Sequence, residues 1–283
     1  MEKALVIQGG GTRGIYAAGV LDAFMISKIR FDYVVGTSAG ALAGANYVSG
    51  DAYRFKFIVV ELMNNPRFIS FRNRIFKGTM FDFDYLFHEV PKEISPFNEK
   101  KFFQSKTFFY SCATKMEDGL PIYFEKGDLK DPYLGLAASS SLPLLARPVD
   151  VEGTLCLDGG VTSSVPFYKP LEDNIEKIVV IGTRPKGYRK QELKTLQKTI
   201  AKSLYKQYPK FLNAFLKSKK VYNKQMDELD RLEEEGRVFI IRPKTNPEVG
   251  VSCKDKQMLL DLYRQGYYDA LEALEDLKIY MGN

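Results

Sequence analysis

Twice within the first fifty residues, a short apolar run stops at a glycine-rich turn and passes straight into a helix-spaced segment. Residues 3–8 form the first run and end at Gly9, Gly10 and Gly11, after which residues 12–28 place Ile15, Gly19, Leu21, Phe24 and Met25 at helical spacing. Residues 31–35 form the second, which ends in the pentapeptide Gly36 to Gly40. An alanine-rich stretch over 39–48 follows, with small residues at Ala41, Ala43, Gly44 and Ala45. A strand that turns at once into a helix sends the chain back across its own sheet. Two such units in succession therefore predict an α/β fold with parallel strands and with loops gathered at the strand C-terminal ends.

Further strands are predicted at residues 107–114 and 120–124, around a turn at 117–119, and at 154–157, 177–182 and 237–242. A short helix is predicted over 132–141, ending before Pro143, and an amphipathic helix from 254 to about 280. Residues 51–105 mix aromatic and basic segments without a clean period and read as a helical cap or lid. Length alone, 283 residues, allows one large domain or two small ones. The composition shifts after residue 185, which divides the chain into an α/β core, 1–185, and a basic helical region, 186–283. The one strand of that region, 237–242, is expected to join or pack on the core.

The net charge of +6 hides an asymmetry. Residues 186–224 hold twelve basic residues and one acid, Glu192, a local +11 that leaves −5 for the rest. Lys186, Lys190, Lys194, Lys198, Lys202, Lys206 and Lys210 recur at every fourth residue, with Leu193, Leu196, Ile200 and Leu204 as an accompanying apolar stripe. A long lysine-rich helix is expected here, ended or kinked at Pro209. It offers either peripheral contact with an anionic membrane or a solvated face whose leucines pack on the core. No nucleic-acid module accompanies the charge, so nucleic acid is not the expected partner. There is no apolar run of about 18 residues and no signal-peptide pattern, so a cytoplasmic location, with peripheral membrane contact, is the expectation. Cys112, Cys156 and Cys253 are odd in number, far apart and without zinc-ligand spacing, and read as buried thiols.

Gly36 to Gly40 fits the GxSxG nucleophile elbow, in which a strand turns sharply into a helix and leaves the hydroxyl of Ser38 exposed above the sheet. The competing reading makes Ser38 a helix cap. Gly9 to Gly14 also fits a dinucleotide-binding GxGxxG, but that use needs an acid at the end of the second strand, and Asp32 stands at its start. Consecutive glycine amides at a helix N-terminus suit an oxyanion hole instead. A Ser, acid, His order is impossible, because His88 is the only histidine and precedes the later acids. His88 acting out of order is one alternative. Asp158, at a strand end before Gly159 and Gly160, is the stronger base, unless it is an ordinary Asp-Gly turn.

Taken together, Gly9 to Gly14, Gly36 to Gly40 and Asp158 to Gly160, in this order at these strand ends, resemble the patatin-like phospholipase family over residues 4 to about 166. The resemblance implies a three-layer α/β/α fold around a mostly parallel central sheet, here with a helical C-terminal extension. It implies Ser38 as nucleophile in a dyad with Asp158, Gly9, Gly10 and Gly11 as the oxyanion hole, and Arg13 with Gly14 supporting that loop. Gly36 and Gly40 would shape the elbow, and Gly159 and Gly160 would follow the acid. Neither histidine nor metal nor any cofactor is implied, and the substrates would be lipid esters. Gln8 departs from the acidic or small residue more usual before the glycines, and the segments after 185 lie outside the shared core. The expected activity is that of a serine lipid acyl hydrolase, a phospholipase, lysophospholipase or esterase. The alternatives are an acyltransferase or a non-catalytic lipid-binding protein on the same fold.

Overall fold

The first apolar run becomes the centre of the sheet. A computed structural model describes residues 3–131 and 133–282. In it the strands β1 (Lys3–Ile7), β2 (Tyr33–Thr37), β3 (Phe108–Lys115), β4 (Pro121–Glu125), β5 (Val149–Val151), β6 (Thr154–Asp158), β7 (Lys177–Ile181) and β8 (Val238–Ile241) form one sheet. Its order is β5-β6-β3-β2-β1-β7-β8, with β4 on β3. The run β3-β2-β1-β7-β8 is parallel throughout, whereas β4, β5 and β6 pair antiparallel with their neighbours.

Helices cover both faces, as a parallel sheet requires. They are α1 (Gly14–Ile26), α2 (Ala39–Ser49), α3 (Arg54–Phe57), α4 (Phe71–Phe76), α5 (Glu99–Gln104), α6 (Leu134–Ser140), α7 (Tyr168–Glu172), α8 (Thr195–Leu204), α9 (Pro209–Glu234), α10 (Lys256–Glu272) and α11 (Leu274–Met281). Alternate residues of β1 divide between the layers: Leu5 and Ile7 pack with α1, α2 and α10, and Ala4 and Val6 pack with Tyr222, Met226 and Leu229 of α9. The region after 185 thus contributes to the shared core. Its strand β8 pairs with β7. Its helix α10 crosses α1 at reciprocal glycines: a Cβ at Gly19 would lie 2.1 Å from Tyr263 O, and one at Gly266 2.1 Å from Tyr16 O. Tyr16 and Tyr263 each donate to an aspartate across this crossing, Asp269 and Asp22, at 2.8 Å.

Several sequence expectations change. The lysine-rich helix is not continuous. Residues 182–194 are irregular, with Gly187 at φ 77°, α8 spans only Thr195–Leu204, and Pro209 opens α9 at its first turn. Lys186, Lys190 and Lys194 therefore precede α8, and Lys206 falls between α8 and α9. The leucines of α8 do not pack inward either: Leu196 is 70% exposed, Ile200 40% and Leu204 51%, while Leu193 and Ala201 are buried. The segment 51–105 is helical, as expected of a cap, but Ile58–Leu62 and Tyr85–Ile94 are π-helical. The helix predicted over 132–141 begins at Leu134, and Pro132 lies outside the described residues. The last predicted helix breaks at Ala273. Of the thiols, Cys112 and Cys156 are buried and Cys253 is half-buried, and all three are free. Among the described residues no helix is long and apolar enough to cross a membrane.

Candidate active site

β2 enters α2 with no intervening loop, so Ser38 carries the whole turn, at φ 57° and ψ −128°. That strained conformation is rare outside glycine, and the surrounding contacts hold it in place. The Ser38 amide donates to Ser139 Oγ at 2.8 Å, and Ser139 Oγ donates to Cys112 O at 2.6 Å. The elbow also depends on glycine, because a Cβ at Gly40 would lie 2.4 Å from Ile7 O and one at Gly36 2.6 Å from the Gly40 backbone. The Ser38 side chain makes no capping hydrogen bond to α2, so the reading of this serine as a cap does not hold.

Asp158 reaches Ser38 through the sheet. β2 pairs with β3 as far as Thr37↔Cys112, and β6 takes up the next position with Asp158↔Ala113. Since β4 occupies the other edge of β3 over the same residues, Ala113 and Thr114, β6 prolongs the line of β2 from the opposite direction. The two strand ends meet head on, one delivering the serine and the other the carboxylate. Asp158 is fixed by its amide on Ser141 O at 2.9 Å and its carbonyl on Thr114 Oγ1 at 3.1 Å. Oδ1 accepts from Gly160 N at 2.6 Å, whereas Oδ2 is buried and has no hydrogen-bond partner. Burial pushes this carboxyl up to about 6, against the opposing pull of the Ser38 hydroxyl, the Gly160 amide and Lys190. The Ser38 hydroxyl thus favours the ionised carboxyl, while Oδ2 stays without a completed hydrogen bond.

The glycine loop stands beside this pair. A Cβ at Gly9 would lie 2.8 Å from Thr37 O, and Gly11, at φ 59°, would bring one within 2.3 Å of Val251 O. The Gly9 amide is already committed to Ser164 O at 3.0 Å. That removes Gly9 from the expected donor set and leaves the Gly10 and Gly11 amides, which line the same cleft as Ser38 and Asp158. Arg13 is buried beneath the loop, where Nη1 donates weakly to Val249 O at 3.4 Å and Nε has no partner. Contacts from the C-terminal region hold the loop more firmly: Thr12 bonds Val251 O through its amide at 3.1 Å and Gly250 O through Oγ1 at 2.7 Å. Gly14 packs on Ala39, and Gly159 on Cys112.

Two kinds of space open at Ser38. One is a cleft of about 530 Å³ lined by the glycine loop, Ser38, Asp158, Leu142 to Leu145 and residues from beyond 185. The other is apolar, about 70 Å³, lined by Ser38, Leu42, Phe55, Ile58, Phe81 and Leu86 among others, and a cavity of about 30 Å³ beyond it shares Leu42, Phe55, Ile58 and Leu86. The segment 51–105 supplies half of the residues that line this apolar space.

His88 is exposed on the cap, edge-on to Tyr133 at 5.6 Å, and does not line the cleft. Among the described residues no three His, Cys, Asp or Glu side chains cluster as a metal site requires. The sequence reading missed Lys190 and Lys219, which also line the cleft. Burial, with Lys219 and Arg13 nearby, pushes Lys190 down to about 7.

Residues 5–171 match the family model described as patatin-like phospholipase, and residues 208–282 match a second described as a domain of unknown function (DUF6363). An uncharacterized protein, YjjU of Escherichia coli, is 31% identical over 71% of this chain and 57% of its own length. The lysophospholipase nte1 of Aspergillus terreus is 30% identical over 65% of this chain and 12% of its own. The chain therefore spans little more than half of the one relative and about an eighth of the other. The structure of VipD from Legionella pneumophila superposes on 97% of this chain and 67% of that one with a TM-score of 0.52, at 14% identity, a likeness of fold. With the family model covering more than half of the chain and its motifs meeting at one cleft, the chain belongs to the patatin-like phospholipase family.

Proposed function

We propose that the protein is a serine acyl hydrolase of lipid esters. Ser38 Oγ attacks the acyl carbonyl carbon while its proton passes to Asp158 Oδ2. The Gly10 and Gly11 amides hold the resulting oxyanion. Asp158 then gives the proton to the departing alcohol, and the acyl group remains on Ser38. Water, deprotonated by the same carboxylate, releases the fatty acid and restores the serine. The acyl chain lies in the apolar space under the cap, which gives residues 51–105 a function.

One observation carries the reading: a buried carboxylate oxygen with no partner, on an acid raised to about 6, beside a serine held at φ 57°. An acid tuned toward neutrality is what a general base needs. The family membership and the fungal relatives named as lysophospholipases support it further. Residues 1–185 would then be the catalytic core, with 186–283 closing the cleft. Contact with an anionic membrane fits α8, where exposed Leu196, Ile200 and Leu204 accompany Lys198 and Lys202 while Gln197 lines the cleft.

Turnover of lysophosphatidylcholine tests the proposal. Ser38→Ala should lower it by more than about a thousandfold, and His88→Ala should stay within about twofold of wild type. A dead but folded His88 variant would replace Asp158 with histidine as the base.

A further inference from the structure

Several basic residues of the C-terminal region are neutralised by nearby acids. Arg189 pairs with Asp227 at 2.6 Å and Asp230 at 3.2 Å, Lys186 pairs with Glu233 and Glu234 at 3.3 and 3.1 Å, and Arg242 bridges Asp230 and Glu233. Arg13, Arg184, Lys190 and Lys219 are in none of these pairs, although they gather in one place. All four line the catalytic cleft, and among the described residues none forms an ion pair with a carboxylate. Among the described residues the only acid on the cleft wall is Asp158.

The cations are held there by built contacts. The Lys190 backbone is clamped by Asn223, which accepts from its amide at 2.7 Å and donates to its carbonyl at 3.0 Å. Its Nζ sits 3.8 Å from the centroid of the Tyr222 ring and donates to Ser164 Oγ at 3.3 Å. Arg184 stacks on Tyr188 at 4.3 Å and bonds Asn246. The buried Nε of Arg13 is a donor without an acceptor. The group repels itself: Lys219 and Arg13 both disfavour the charge on Lys190, Arg184 that on Arg13, and Arg13 that on Lys219. Like charges gathered in a partly desolvated cleft are destabilising until an anion enters. Asp158 supplies at most one negative charge, and its lone pair is needed for the serine proton.

We infer that Arg184, Lys190 and Lys219, joined by Arg13, form a phosphate subsite beside Ser38 that selects acyl esters carrying a phosphate group over uncharged ones. Arg184, Lys190 and Lys219 lie beyond the residues matched by the patatin-like model. The selectivity therefore comes mainly from outside that match, with Lys190 and Lys219 supplied by the C-terminal region. A phosphate oxygen set suits guanidinium and ammonium donors converging from several sides, and the cleft has the volume for it. This inference rests on the assignment of Ser38 as nucleophile.

The test compares kcat/KM for palmitoyl lysophosphatidylglycerol with that for monopalmitoylglycerol, both as monomers, in wild type, Lys190→Gln, Lys219→Gln and the surface control Lys220→Gln. The subsite predicts a wild-type preference for the phosphate-bearing ester that falls about tenfold in each of the first two variants, the scale of one lost charge-assisted contact. The ratio should not move in Lys220→Gln. Remaining turnover of monopalmitoylglycerol shows that a variant is folded. Inorganic phosphate, titrated against cleavage of monopalmitoylglycerol, separates the sources of the anion. Lysophospholipid preference assigns the subsite to the substrate's own head group. Competitive inhibition by phosphate without that preference assigns it to a separate phosphate-bearing molecule. Neither effect, with cleavage still dependent on Ser38, overturns the subsite alone, and cleavage that survives Ser38→Ala overturns the nucleophile assignment instead.

Discussion

Asp158→Asn separates catalysis from stability with opposite signs. The folded carboxyl, raised from 3.8 to about 6 mainly by burial, binds its proton more tightly than the unfolded one. Ionising it in the native state therefore costs about 3 kcal/mol at neutral pH, at 1.36 kcal/mol per pH unit. Between these two values the native state holds more protons than the unfolded state, so this term lowers wild-type stability as pH rises from about 4 to about 6 and is constant above. Asparagine keeps Oδ1 as the acceptor for Gly160 and places an uncharged amide where Oδ2 has no partner. The variant should be more stable than wild type by about 3 kcal/mol at pH 8 and nearly equal to it at pH 4. Urea denaturation at both pH values measures the difference. The same variant should lose hydrolysis by roughly a hundredfold or more. A variant no more stable than wild type at pH 8, or stabilised equally at both pH values, would refute the claim that a costly buried carboxylate is maintained for use.

In wild type, kcat/KM should rise with pH through a half-maximum near about 6, because the ionised Asp158 is the base; a flat profile from pH 5 to 8 would contradict this. Gly40→Ala should destabilise the protein by ~3 kcal/mol, the upper end for overpacking, since its Cβ would lie 2.4 Å from Ile7 O; urea denaturation reads it. Replacing Lys194, Lys198, Lys202 and Lys206 by Gln should weaken binding to anionic vesicles at low salt by up to ~1 kcal/mol per lysine but spare a small soluble ester. Equal sedimentation of variant and wild type with such vesicles would remove the membrane contact.

What could be read from the sequence was what neighbours along the chain decide. The Ser38 elbow needs only a strand, Gly36, Gly40 and a helix within a dozen residues. Asp158 was visible as a strand end before Gly159 and Gly160. Its meeting with Ser38 was not, because that follows from β6 taking the edge of β3 that β2 vacates at Cys112, a pairing more than forty residues distant. The Gly9 amide looked available for the same reason: its partner, Ser164, arrives from the far end of the core. Lys190 sat in a run of twelve cations where every lysine looks solvated, and only contacts distant in sequence, with Asn223, Tyr222 and Ser164, hold it in the cleft. The four-residue lysine period misled because spacing survives where the backbone does not, at Gly187 and before Pro209. In the cap, turns bonded i→i+5 with Pro91 inside one of them blur the 3.6-residue period.

The nucleophile can be located without any choice of substrate. A fluorophosphonate reacts with an activated serine and leaves a covalent adduct, and peptide mass spectrometry of the labelled protein reports which residue carries it. The adduct should lie on Ser38, form more slowly in Asp158→Asn and be absent from Ser38→Ala. An adduct on Ser139, Ser140, Ser164 or any other serine, or labelling that persists in Ser38→Ala, would contradict the account.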